Sequence, residues 1–135
     1  MNYNKISKIY FFGLSIIYLF IIFFGSNALS AYFPIFYLFF GPILFFCLHY
    51  VLVINLSKYI EKAYPNLMKK HSFSWGVRKG ESLNIFQVYL SKEEFESYND
   101  EKINLFLNRG KLLLKLTIAS FVFKVIFGII KSQLN

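Results

Sequence analysis

The sequence predicts an all-α, polytopic integral membrane protein: three transmembrane helices with a helical cytoplasmic segment between spans two and three. Three observations carry this. Of 135 residues, 56% are hydrophobic and only 16% charged, against about 45–50% and roughly 25% in a soluble domain. The apolar residues, 18 of them Phe, come in three blocks close to the ~20 residues that cross a bilayer. All 7 acidic residues fall between the second block and the third. Such a chain is not a disulfide scaffold, a disordered tail or a single soluble enzyme domain. Its one Cys excludes an internal disulfide and a cysteine-rich metal site.

The expected division is an N-terminal transmembrane hairpin over 1–56, an amphipathic cytoplasmic segment over 57–111, and a third span with a short tail over 112–135. The hairpin holds spans at about 9–25 and 35–56. The first follows Lys5 and Lys8 and contains no charge. Two lysines, an apolar run and Ala28-Leu29-Ser30-Ala31 also fit a cleaved signal peptide, but the run exceeds the usual ~7–15 residue core of such peptides. A retained span is therefore expected. An uncharged linker, 25–34, is too short for anything but an antiparallel return. The second span contains Gly41-Pro42. Proline removes the helical donor to the Leu38 carbonyl, so a kink is expected there.

Between the spans the composition turns polar, with ten basic and seven acidic residues over 57–111. Tyr64-Pro65 breaks the chain, because the residue before proline avoids the helical region and proline suits a first helical turn. A short helix over 65–70 follows, then a glycine- and serine-bearing loop over 71–82. The stretch 83–90 suits either a strand or a helix; helix is expected, since a lone strand has nothing to pair with. Ser91-Lys92-Glu93-Glu94 has the spacing of a capping box. Asn99 or Asp100 then caps a helix with Ile103, Phe106 and Leu107 on one face. That helix runs past Gly110 into the third block, 112–130, which carries Lys115 and Lys124.

Lysine and arginine counts set the orientation. With the N-terminus cytoplasmic, twelve basic residues stay inside, and the uncharged linker and Lys131 lie outside. A multi-pass protein of the cell (inner or plasma) membrane, N-terminus in and C-terminus out, is expected.

No phosphate-binding loop, nucleophile elbow, zinc-protease or dinucleotide motif occurs, so no catalytic, cofactor-binding or metal residue is assigned and no cofactor is expected. Two sets of residues stand out. Ser15, His49 and Thr117 lie at a common depth of roughly 8–10 Å from the inner face. With Ser120 and Lys124 they are the intramembrane polar residues, and such groups usually face a bundle interior and bond between helices. A neutral histidine holding helices together is the expected role of His49. For Lys124 the alternatives are snorkelling to the outer headgroups or pairing with the Leu38 carbonyl that Pro42 frees. Lys69, Lys70, Arg78 and Lys79 surround Phe73 and Trp75. This set is expected at the membrane interface, in contact with anionic lipid. Nucleic acid is not an expected partner. The carboxylates Glu93, Glu94, Glu96, Asp100 and Glu101 suit helix starts, where they complement the dipole.

Tyr64-Pro65-Asn66-Leu67, the apolar stretch ending in Tyr89-Leu90, Tyr98-Asn99-Asp100 and Arg109 before a terminal span form a pattern that resembles small bacterial inner-membrane proteins of the universal stress protein B type. The likeness covers residues 56–130. Members are richer in arginine ahead of the last span and commonly have one span before the polar segment, where this chain has two. The resemblance implies a non-enzymatic membrane protein linked to stress, with no catalytic residues to carry over. The expected function is accordingly structural or interaction-based, with the lipid bilayer and a protein partner or self-association. A homo-oligomeric pore-former or bacteriocin-immunity-like protein is the alternative.

Overall fold

A computed structural model describes residues 3–75 and 78–134, with side chains described outside 73–75, 78–82, 85, 86 and 134. The fold is helical, with three helices long and apolar enough to cross a membrane. The elements are α1 (Tyr3–Phe24), α2 (Asn27–Leu38), a π turn (Phe39–Ile43), α3 (Leu44–Ala63), α4 (Pro65–His71), β1 (Ser72–Trp75), β2 (Arg78–Leu83), α5 (Ile85–Leu90), α6 (Lys92–Ser97) and α7 (Glu101–Leu134).

The expected ten-residue linker shrinks to Gly25-Ser26. Gly25 closes α1 by donating to the Ile21 carbonyl at 2.9 Å, and a Cβ there would collide with that carbonyl. Ser26 then takes an extended conformation and accepts from the Leu29 amide as the N-cap of α2. Its hydroxyl meets one of the orphan donors of the first turn, so helix resumes at once. Pro34 sits inside α2 instead of marking its start. Helix from Asn27 to Ala63 is continuous over 37 residues, about 55 Å.

At Pro42 the helix widens into the π turn. The Leu44 amide, which in a regular helix would serve the Phe40 carbonyl, bonds to Phe39 and Gly41 instead. The ladder thus absorbs the missing proline donor by one register shift, a usual device at such sites. The stretch read as a loop over 71–82 is a two-stranded antiparallel ribbon, with Ser72 opposite Leu83 and Trp75 opposite Arg78. The loop reading missed this pairing because each strand is the other's partner. The helix expected over 83–90 forms from Ile85 to Leu90, with Leu83 ending β2.

The chain divides into two compact units, Met1–Leu48 with Leu112–Asn135, and His49–Lys111. The first packs Tyr18 and Ile22 of α1 and Tyr37 of α2 against Phe123 and Phe127 of α7. The second has a core of its own: Val53, Leu56 and Ile60 of α3, Leu67 and Met68 of α4, Val88, Phe95, and Ile103, Phe106 and Leu107 of α7. The polar segment is thereby a folded unit, its apolar periodicity gathered around one core.

Candidate functional site

In the second unit, α3 carries His49, α5 carries Tyr89 and α7 carries Gly110. Nε2 of His49, only 1% exposed, lies 3.0 Å from the Tyr89 hydroxyl. Phe106 flanks both rings, at 6.4 Å from His49 and 6.2 Å from Tyr89. Glycine at 110 is what admits this contact, since a Cβ there would stand 2.5 Å from the Tyr89 oxygen. Burial pushes the Tyr89 phenol up to about 12, so it remains a neutral partner for whichever imidazole tautomer is present. The pair joins the α3 and α5 segments of this unit, the bonding role expected of His49. In the sequence Tyr89 was legible only as part of the apolar stretch 83–90.

A second polar junction closes the same unit. Asp100 caps α7, its Oδ1 accepting from the Lys102 and Ile103 amides at 2.8 and 3.2 Å. Its Oδ2 accepts from the Tyr59 and Tyr64 hydroxyls at 2.5 and 2.8 Å. Of the two candidate caps it is the one used, and Asn99 before it takes a positive φ of 49°, a conformation asparagine tolerates better than most residues. The Tyr59 hydrogen bond, first, and those of Tyr64 and the backbone hold the Asp100 carboxyl below its ordinary value. The same carboxylate pushes the Tyr64 phenol up.

Ser91 makes no capping bond with its side chain. Instead of reaching back to Ser91, Glu94 accepts from Lys70 Nζ at 2.8 and 2.9 Å and meets His71 Nε2 at 3.1 Å. Lys70 chiefly, then His71, lower its carboxyl pKa against the opposing effect of desolvation. The capping-box spacing is overridden because the Lys70 ammonium and the His71 imidazole, both from α4, satisfy the carboxylate better than one amide would. Of the expected interface set, Lys69 is exposed and Lys70 is in this ion pair. Phe73, Trp75, Arg78 and Lys79 lie on the ribbon strands, and their side chains are outside the described residues.

In the first unit Ser15 of α1 is buried and its hydroxyl lies 3.2 Å from that of Tyr37. Ser120 is fully buried and its Cβ packs at the Gly41 backbone. Its hydroxyl and that of Tyr18 have no hydrogen-bond partner among the described residues. Ser15 and Ser120 thus face the bundle interior together, and Tyr37 is their 0%-exposed companion. Thr117 bonds within its own helix, to the Leu113 carbonyl at 2.9 Å. The Tyr10 hydroxyl donates to the Phe40 carbonyl at 2.9 Å, the carbonyl that the π turn releases. Lys124 is half-buried.

Among the described residues no three His, Cys, Asp or Glu side chains are grouped to hold a metal. Several polar contacts, among them His49 with Tyr89, Ser15 with Tyr37 and Asp100 with Tyr59 and Tyr64, join different elements within their unit. No family model, curated protein or solved structure matches the chain.

Proposed function

We infer that this is a non-enzymatic, multi-pass protein of the cell membrane, N-terminus cytoplasmic, that acts through packing and interaction, consistent with the stress-associated proteins it resembles. One observation carries the reading: the polarity of the first unit is inverted. Its buried positions include Ser15, Tyr37 and Ser120, whereas Phe12, Ile16, Phe20, Phe24, Ile118, Phe121 and Ile129 are all more than half exposed. Only 22, 33 and 17% of the three most apolar helical windows are buried. Apolar area of this extent on a protein in water marks a surface meant to be covered, and hydrocarbon covers all sides of a bundle at once. The orientation rests on the twelve basic residues on one side. The second unit, with its own core and its Lys/Arg excess, then lies at the cytoplasmic face and offers the surface for a partner.

Reporter fusions test this. A periplasm-active enzyme fused after Asn27 gives signal, and one fused at Gly80 gives none; signal at Gly80 overturns the orientation. Crosslinking in native membranes then reads the function. A single foreign adduct is the expected result, and a ladder of self-adducts would replace this reading with the homo-oligomeric pore or immunity-type one.

A further inference from the structure

Resting on that membrane reading, we propose that the groove between α3 and α7 in the second unit binds one anionic phospholipid, with the phosphate at Lys102 and an acyl chain along the leucines. The groove holds about 160 Å³ and is walled by Leu52 and Leu56 on α3 and by Leu105 and Phe106 on α7. Its ends are fixed by two contacts. At one, the Lys102 ammonium stands 4.5 Å over the centre of the Tyr59 ring; at the other, Phe106 lies beside His49. The two helices therefore run antiparallel here, and the groove extends along α3 from Leu52 to Tyr59, roughly 10 Å.

The chemistry along it is ordered as in a phospholipid. Leucine and phenylalanine line the inner part, the exposed amide of Asn55 stands midway, and the ammonium stands at the mouth. An acyl chain, an ester oxygen able to accept from the amide, and a phosphate would meet these groups in that sequence. Tyr59 orients the lysine from beneath by its ring face, while its hydroxyl is committed to Asp100. Among the described residues the Lys102 side chain is in no ion pair, so it has charge to offer an anion. A basic site between membrane helices near the cytoplasmic face is where anionic headgroups are recognised. A second copy of this chain is disfavoured as occupant because it carries the same net charge of +8.

The site is tested with the full chain carrying Trp75→Phe and Leu105→Trp, which puts the only tryptophan on the exposed lip of the groove. It is reconstituted in mixed phosphatidylglycerol and phosphatidylcholine vesicles in which one lipid or the other is brominated. Brominated phosphatidylglycerol quenches several-fold more than brominated phosphatidylcholine at equal mole fraction. Lys102→Gln abolishes that preference, and Lys69→Gln leaves it. Equal quenching in the parent chain, a preference that survives Lys102→Gln, or one that Lys69→Gln removes equally would each overturn the site. So would shielding from both lipids that grows with protein density, which places a second copy in the groove. Water-like emission untouched by either lipid at any density would instead overturn the membrane reading beneath it.

Discussion

The Tyr89 hydroxyl meets His49 Nε2 at 3.0 Å over a backbone position, Gly110, where a Cβ would stand 2.5 Å from the tyrosine oxygen. The hydrogen bond and the glycine are one feature. Gly110→Ala displaces Tyr89 and destabilises the unit by about 1–3 kcal/mol, the range for overpacking. In a Tyr89→Phe background the colliding oxygen is gone, so the alanine becomes neutral or gains part of the ~1 kcal/mol by which it exceeds glycine in helices. Thermal unfolding of the four variants in detergent checks this; additivity would mean the two residues do not meet.

Tyr10 and Phe40 make a second pair, joining α1 to the π turn. Tyr10→Phe leaves the Phe40 carbonyl without its donor. The expected loss is about 0.6 kcal/mol, the average for interhelical bonds in membranes, and at most ~1.7. With Pro42→Ala the turn can revert to regular helix, giving that carbonyl the Leu44 amide, and the cost of Tyr10→Phe falls. A double-mutant cycle on stability measures the coupling.

Lys124 has no hydrogen bond to the Leu38 carbonyl among the described residues, since the π turn and Tyr10 manage the backbone around Pro42. A charge near a span's centre costs at least ~2.5–3.5 kcal/mol on insertion scales, a cost that snorkelling reduces. Lys124→Met is therefore neutral or stabilising, and it adds independently to Pro42→Ala. A strong loss of stability in Lys124→Met alone would show an internal role.

Acid sensitivity follows from Asp100 and Glu94, both depressed below their ordinary values of 3.8 and 4.5. A carboxylate lowered on folding contributes stability that is complete above its unfolded pKa and is lost as pH falls through the lower native one. Stability of the second unit is expected to decline from pH 4.5 downward. Glu94→Gln removes the upper part of that decline and Asp100→Asn the lower part. Unfolding midpoints followed across the carboxylate range measure both; a pH profile unchanged by either substitution would contradict the assignment.

The sequence by itself determined the three apolar helices, because a predominantly apolar run near twenty residues, with few charges or none, admits few other fates and needs no partner to specify it. It also determined Pro65 at a helix start, the Asp100 cap and the direction of burial for Ser15 and Ser120, all of which depend on groups close in the chain or on the cost of facing hydrocarbon. Only the tertiary structure decided which polar group meets which. Tyr10, Tyr37 and Tyr89 share the amphipathic ring that also suits a headgroup belt, and nothing local distinguishes a phenol bound for lipid from one that will meet Phe40, Ser15 or His49 tens of residues away. Glu94 left its capping box for the same reason: Lys70 and His71 come from another helix, and a charge-assisted bond outweighs a local one. The ribbon over 72–83 was hidden because each strand's evidence lies in the other. Proline at 34 read as a boundary, yet helix runs through it from Asn27, and at Pro42 a π turn re-registers the hydrogen-bond ladder, an adjustment that depends on the helix on both sides of it.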